Sequence, residues 1–125
     1  MGVQGRCAVN VFPQAEVQHP LRRYPRIPFS GRAVIFTKDT SCVSTSLQIS
    51  QGGILVSTPM KLNVGDTVTV HCTILRCYLR LKGEVIYVIG NSANPERPKV
   101  GIRFNLISSL EKELIKTLVA EATKP

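Results

Sequence analysis

Tryptophan is absent, aromatic residues make up only 6% of the chain, and histidines number 2. Barrels that grip single-stranded nucleic acid rely on aromatic side chains as stacking platforms, and this chain has few to offer. Acid–base and metal chemistry are equally poorly supplied. His19 and His71 are the only histidines, Asp39 and Asp66 the only aspartates, and no nucleophile elbow, P-loop or metal-binding helix occurs. An enzyme is not expected. No apolar run approaches the ~18 to 20 residues of a membrane-spanning helix, so membrane insertion is not expected. Met1 to Pro20 lacks a charged start followed by an apolar stretch, which argues against a secretory signal and for a cytoplasmic location. The 4 cysteines are Cys7, Cys42, Cys72 and Cys77, of which only the last two lie close together. That is neither the paired spacing of a zinc site nor a disulfide framework, so no metal and no cofactor is expected.

Acidic residues are also scarce: 8 stand against 16 Lys and Arg, for a net charge of +8. Such a surface favours an anionic partner, whether nucleotide, nucleic acid or anionic lipid. The excess is partly local. Arg6, Arg22, Arg23 and Arg26 lie in a segment whose only acid is Glu16. The charge suits a nucleic-acid-binding barrel, but the missing aromatics weigh against one, and no nucleic-acid partner is expected.

The 125 residues fit one domain, and 43% hydrophobic residues suffice for a packed core. Residues 1 to 28 carry Pro13, Pro20, Pro25 and Pro28 without sustained periodicity, and read as an arm that is flexible over 1–20. Beyond Arg32 the texture is that of short strands. Ala33–Phe36, Val43–Ile49 and Gly53–Val56 are strand-length runs. From Thr67 to Ile74 the chain alternates cleanly, with Val68, Val70, Cys72 and Ile74 on one face, which predicts a half-buried strand and makes Cys72 a small core residue. His71, on the other face, is expected to be exposed. Leu79, Leu81, Gly83 and Val85 alternate likewise, and Val100–Phe104 is a last short strand after the polar loop Asn91–Pro98. Phe36 and Phe104 read as core. Short strands at this spacing imply an antiparallel sandwich or barrel, and a barrel leaves no open edge. The end differs. Ser108-Ser109-Leu110-Glu111 matches a capping box, and Leu110, Leu114, Leu118 with Ile115, Val119 form the stripe of one amphipathic helix.

Three local features together resemble the PilZ family over roughly Leu21 to Ala122. Leu21-Arg22-Arg23-Tyr24-Pro25-Arg26-Ile27-Pro28 looks like that family's RxxxR element, with Arg22 and Arg26 as its arginines. Gln48-Ile49-Ser50-Gln51-Gly52-Gly53 is similar to its (D/N)xSxxG element. Val100-Gly101-Ile102-Arg103-Phe104 followed by a capped helix is the usual ending. The resemblance implies an all-β fold, a small six-stranded antiparallel barrel with one C-terminal helix, over residues 21–122. It implies a receptor for cyclic di-GMP in bacterial second-messenger signalling, with Arg22, Arg23, Arg26, Gln48, Ser50 and Gly53 as its ligand-binding residues and a protein partner downstream.

The chemistry suits that ligand. Guanine presents O6 and N7 as adjacent acceptors, which a planar guanidinium meets bidentately. Arginine also pairs with phosphate and stacks on purines. Ser50 can hydrogen-bond a phosphate or base, and Gly53 allows close backbone approach. Gln48 departs from the family pattern. A carboxylate there accepts from guanine N1–H and the exocyclic amine together, whereas Gln offers one acceptor and one donor group on a longer side chain. The alternative function is therefore a divergent PilZ domain that does not bind the nucleotide and acts as a protein-interaction adaptor.

Overall fold

The structure, a computed structural model, describes residues 24–105 and 107–123. The arm expected over 1–20, and with it Arg22 and Arg23, lies outside the described residues.

Six strands follow one another: β1 (Ile27–Phe36), β2 (Ser41–Ser50), β3 (Gly53–Ser57), β4 (Thr67–Ile74), β5 (Cys77–Ile89) and β6 (Lys99–Phe104); the helix α1 (Ser109–Ala122) ends the chain. Around the barrel the order is β1-β2-β3-β6-β5-β4, and β4 pairs back onto β1. Every pairing is antiparallel. The closing seam joins Val34–Phe36 to Thr69–His71, and closure limits the edge a strand could offer to another chain. This is the six-stranded barrel with a terminal helix that the sequence pattern and the resemblance anticipate.

The alternation of β4 maps directly onto the core: Val68, Val70, Cys72 and Ile74 are all buried. Leu79, Leu81 and Val85 of β5 face them from the paired strand. Ala33, Ile35, Ile49, Ile54, Val56, Val100 and Ile102 complete the interior. Burial disfavours the thiolate and pushes the Cys72 thiol up to about 11.

Four details differ from the sequence reading. Pro28, assigned above to the arm, lies inside β1, because Ile27 is buried and pairs with Ile49. The β1–β2 register slips between Pro28 and Gly31, and a bulge is where a strand tolerates proline. The run Val43–Ile49 does not bury its apolar residues throughout. Val43 is 59% exposed, while Ser44 and Ser46 are buried. Both serines are satisfied: Ser44 Oγ lies 2.7 Å from Thr58 Oγ1, and Ser46 Oγ donates to the Gly31 carbonyl at 3.2 Å. Phe104 does pack against the core, but Phe36 is 36% exposed and stacks on His71 instead, with ring centroids 4.2 Å apart. His71 is accordingly half-buried, and not simply exposed as its strand face suggested.

In α1 the helix centre line runs through Ile115 and Val119, which are buried, with Leu114 and Leu118 partly buried beside them. One turn earlier that line is occupied by Glu111, not by an apolar residue. Leu110, counted in the stripe, is 67% exposed. Glu111 serves the cap: its carboxylate accepts from the Ser108 amide at 2.7 Å, and Ser108 Oγ accepts from the Glu111 amide at 3.1 Å. The capping box is present as the sequence indicates. The helix packs against β2 and β4. No helix among the described residues is long and apolar enough to cross a membrane.

Candidate functional site

The turn between β2 and β3 is built by three small residues. Ser50 pairs with Gly53, and Ser50 Oγ accepts a hydrogen bond from the Gly52 amide at 3.1 Å. That bond fixes the turn and leaves the Ser50 hydroxyl proton to donate outward. The Gly52 carbonyl accepts from the Phe104 amide at 2.9 Å, which anchors the turn to β6. A Cβ on Gly53 would collide with the Ile102 carbonyl oxygen, so only glycine lets β3 and β6 come this close.

The chain entering β1 runs beside this turn. Ile27, the first residue of β1, pairs with Ile49, which leaves Arg26 just before β1 at the end of the barrel where Ser50 ends β2. The Tyr24 ring covers Gly52, where a Cβ would lie 3.1 Å from Tyr24 Cδ2. Arg26 is exposed, and among the described residues no hydrogen bond or ion pair engages it. Its guanidinium is thus available beside a glycine turn with an outward hydroxyl.

Gln48 owes its direction to a bulge. The β2–β3 register shifts between Ser46 and Gln48, so Leu47 is an extra residue. Ser46 and Ile49 both face the core, and without the extra residue Gln48 would point inward with Ser46. With it, Gln48 faces out, half-buried, opposite Pro28 and Leu55. There it lines a shallow groove of ≈ 480 Å³ whose other wall is the β5–β6 loop and the start of β6, including Asn94, Arg97 and Lys99. The loop is tied to β3: Arg97 Nη2 donates to the Ser57 carbonyl at 3.3 Å, and Ser57 Oγ donates to the Arg97 carbonyl at 3.0 Å. The groove therefore carries two cationic side chains next to the Gln48 amide.

Of the residues expected at the site, the structure brings Arg26, Ser50 and Gly53 to one end of the barrel, with Gln48 on the adjoining outer face. Arg22 and Arg23 lie outside the described residues. Tyr24, Arg97 and Lys99 are additions that sequence reasoning missed. Tyr24 stands inside the quoted arginine element, and its contact with Gly52 follows from register alone. Arg97 belongs to a stretch that reads only as a polar loop, and Lys99 falls between that loop and the strand expected from Val100. Arg103, across from Gly53, forms an ion pair with Glu84 at 3.2 Å. The pair is exposed and contributes little to stability. Among the described residues no cluster of His, Cys, Asp or Glu could hold a metal ion.

The site is thus a small closed barrel with an arginine beside a glycine turn at its rim. The family model of the PilZ domain matches residues 20–121, and the chain belongs to that family. Solved structures share the fold. The inhibitor of motility MotI/DgrA of Bacillus subtilis is similar at 17% identity with a TM-score of 0.69, over 84% of this chain and 52% of that one. The PilZ domain of YcgR from Escherichia coli, solved with c-di-GMP, is similar at 16% identity with a TM-score of 0.62, over 82% of this chain and 91% of that one. The Borreliella burgdorferi PlzA protein in complex with c-di-GMP is similar at 16% identity with a TM-score of 0.59, over 80% of this chain and 41% of that one. This chain thus spans about half the length of MotI/DgrA, about two fifths of PlzA, and nearly all of the YcgR domain. No curated protein matches the chain significantly by sequence.

Proposed function

We propose that this chain is a cytoplasmic, non-enzymatic sensor that binds cyclic di-GMP and passes the signal to a protein partner. The observation that carries the reading is the convergence of Arg26, Ser50 and Gly53 at one rim of the barrel, with Gln48 beside them. The PilZ proteins solved with c-di-GMP support the choice of ligand. In this reading Arg26, with Arg22 and Arg23 from the preceding segment, grips guanine edges and phosphates. The Ser50 hydroxyl donates to an acceptor of the ligand, the bare backbone at Gly53 admits it, and the Gln48 amide meets a guanine edge.

Isothermal titration of the chain with cyclic di-GMP at one fixed salt concentration tests it, with cyclic di-AMP as the control that lacks the guanine edge. Arg26→Ala should cost on the order of 1 to 3 kcal/mol of binding, the worth of a bidentate arginine–guanine contact. Gln48→Asp should strengthen binding about tenfold or more, because a charge-assisted hydrogen bond contributes roughly 1.5 to 3 kcal/mol. No heat with parent or Gln48→Asp protein would leave the adaptor function in its place. Measurable binding that drops on Gln48→Asp would show that Gln48 faces an acceptor, not a guanine N1–H.

A further inference from the structure

A second surface lies on the outer wall of the barrel, running from Phe36 at the end of β1 along β4 and β5 to their Ile74–Cys77 hairpin, which is at the same barrel end as the β2–β3 turn. Here the outer faces of β1, β4 and β5 join. Val34 pairs with His71, and His71 with Arg80, so the three form one row across the strands. Phe36 stacks on one side of the His71 ring, and Tyr78 meets it edge-on at 5.6 Å, with its hydroxyl 2.8 Å from His71 Nδ1. Tyr78 is nonetheless 62% exposed. The cluster is therefore ordered by its own contacts and still presents aromatic area to solvent, which is the profile of a binding anchor.

The charges around it are predominantly positive. Arg32, Arg76, Arg80 and Lys82 are exposed on or beside this face, and none forms an ion pair among the described residues. Of the nearby acids Asp66 caps the Asn63 amide and Glu84 is held by Arg103, which leaves Asp39, in the turn after β1, as the one exposed carboxylate beside the face among the described residues. Desolvation and the neighbouring Arg80 both hold the His71 imidazole below its ordinary value, towards its neutral form.

The hairpin tip between β4 and β5 adds a third observation. Ile74 pairs with Cys77, so Leu75 and Arg76 alone make the turn, and both have positive φ, 50° and 69°. Such two-residue turns favour Asn-Gly, because other residues are strained there. Leu75 and Arg76 give up that stability while exposing an aliphatic and a cationic side chain at the edge of the aromatic cluster. Strain of this kind concentrates at functional positions.

We propose that this face, from Phe36 across His71, Tyr78 and Arg80 to the Leu75–Arg76 tip, is a docking surface for an acidic protein segment that carries an aromatic or aliphatic anchor. Charge complementarity selects the occupant. The unpaired cations favour an anionic partner and disfavour a second copy of this basic chain. Beneath the aromatic cluster Val34–Phe36 pair with Thr69–His71, so recognition runs through side chains, with the anchor on Tyr78 and Phe36 and carboxylates on Arg80 and Arg76. The proposal goes beyond nucleotide binding and does not depend on it.

The test is a ¹H–¹⁵N titration of the full chain with a soluble glutamate-rich peptide bearing spaced phenylalanines. Its comparators are the same peptide with lysine for glutamate and a mixed-sequence single-stranded DNA oligonucleotide at the same salt. The glutamate peptide should shift the resonances of Val34, Phe36, His71, Tyr78 and Arg80, and the lysine peptide should not. Arg80→Glu should weaken binding roughly tenfold. Lys116→Glu on α1, which changes net charge equally, should not. Replacing Leu75-Arg76 by Asn-Gly should raise the melting temperature yet weaken peptide binding, which separates docking from folding. Shifts confined to other surfaces, indifference to Arg80→Glu, or tighter binding of the oligonucleotide at this face would each overturn the proposal.

Discussion

Gly53 and Gln48 are five positions apart and set opposite demands on the side chain. At Gly53 any Cβ would run into the Ile102 carbonyl, a backbone atom that cannot swing aside. Gly53→Ala should therefore force β3 and β6 apart, costing about 1 to 3 kcal/mol by analogy with overpacking, and should lower the denaturant midpoint. The motif in the sequence marks this glycine; its cause, the approach of β6, becomes visible only with the strand order. Gln48 is the reverse case, since its identity is plain in the sequence but its direction depends on the extra residue Leu47. Tyr24 was not legible at all as a contact of Gly52, because that contact joins residues whose register no local pattern encodes. Cys72 was legible, from the alternation that makes it a core position. Buried, with its thiol pushed up to about 11, it should resist iodoacetamide at pH 8, whereas the exposed Cys77 should be alkylated. Peptide mass spectrometry before and after adding urea reads the difference, and Cys72 should react only with urea present.

The elements differ in how much of themselves the sequence discloses. β4 is the clearest, since one face is apolar at every second position and the core uses that face throughout. β2 is the least clear. Its bulge breaks the period, and two serines take interior places because the Thr58 hydroxyl and the Gly31 carbonyl reach them. β1 begins earlier than proline content suggests because a bulge accommodates Pro28. α1 announces its start through Ser108 and Glu111, but its buried side is a narrower stripe than its leucines imply. Ser108→Ala removes the side-chain acceptor for the Glu111 amide and should cost about 1 kcal/mol. For a domain of this size that corresponds to a fall of roughly 4 to 8 °C in melting temperature, measured by circular dichroism. Glu111→Gln, which keeps an acceptor for the Ser108 amide, should cost less.

For the molecule as a whole, the net charge of +8 and the closed barrel work together. The barrel encloses one apolar core, and the two proposals above assign anionic partners to one rim and one outer face. Fold class follows from local periodicity, which any reader of the chain can count. The site does not, because it is made where β1, β2, β3 and β6 meet, and such meetings depend on long-range register. The most direct measurement is therefore a ¹H–¹⁵N titration of the intact chain with cyclic di-GMP at fixed ionic strength. Saturable shifts centred on Arg26, Gln48, Ser50, Gly52 and Gly53 are the predicted result, lost or much weakened in Arg26→Ala. An unchanged spectrum at saturating nucleotide, or saturable shifts that leave this rim untouched, would contradict the assignment of the rim as the receptor site.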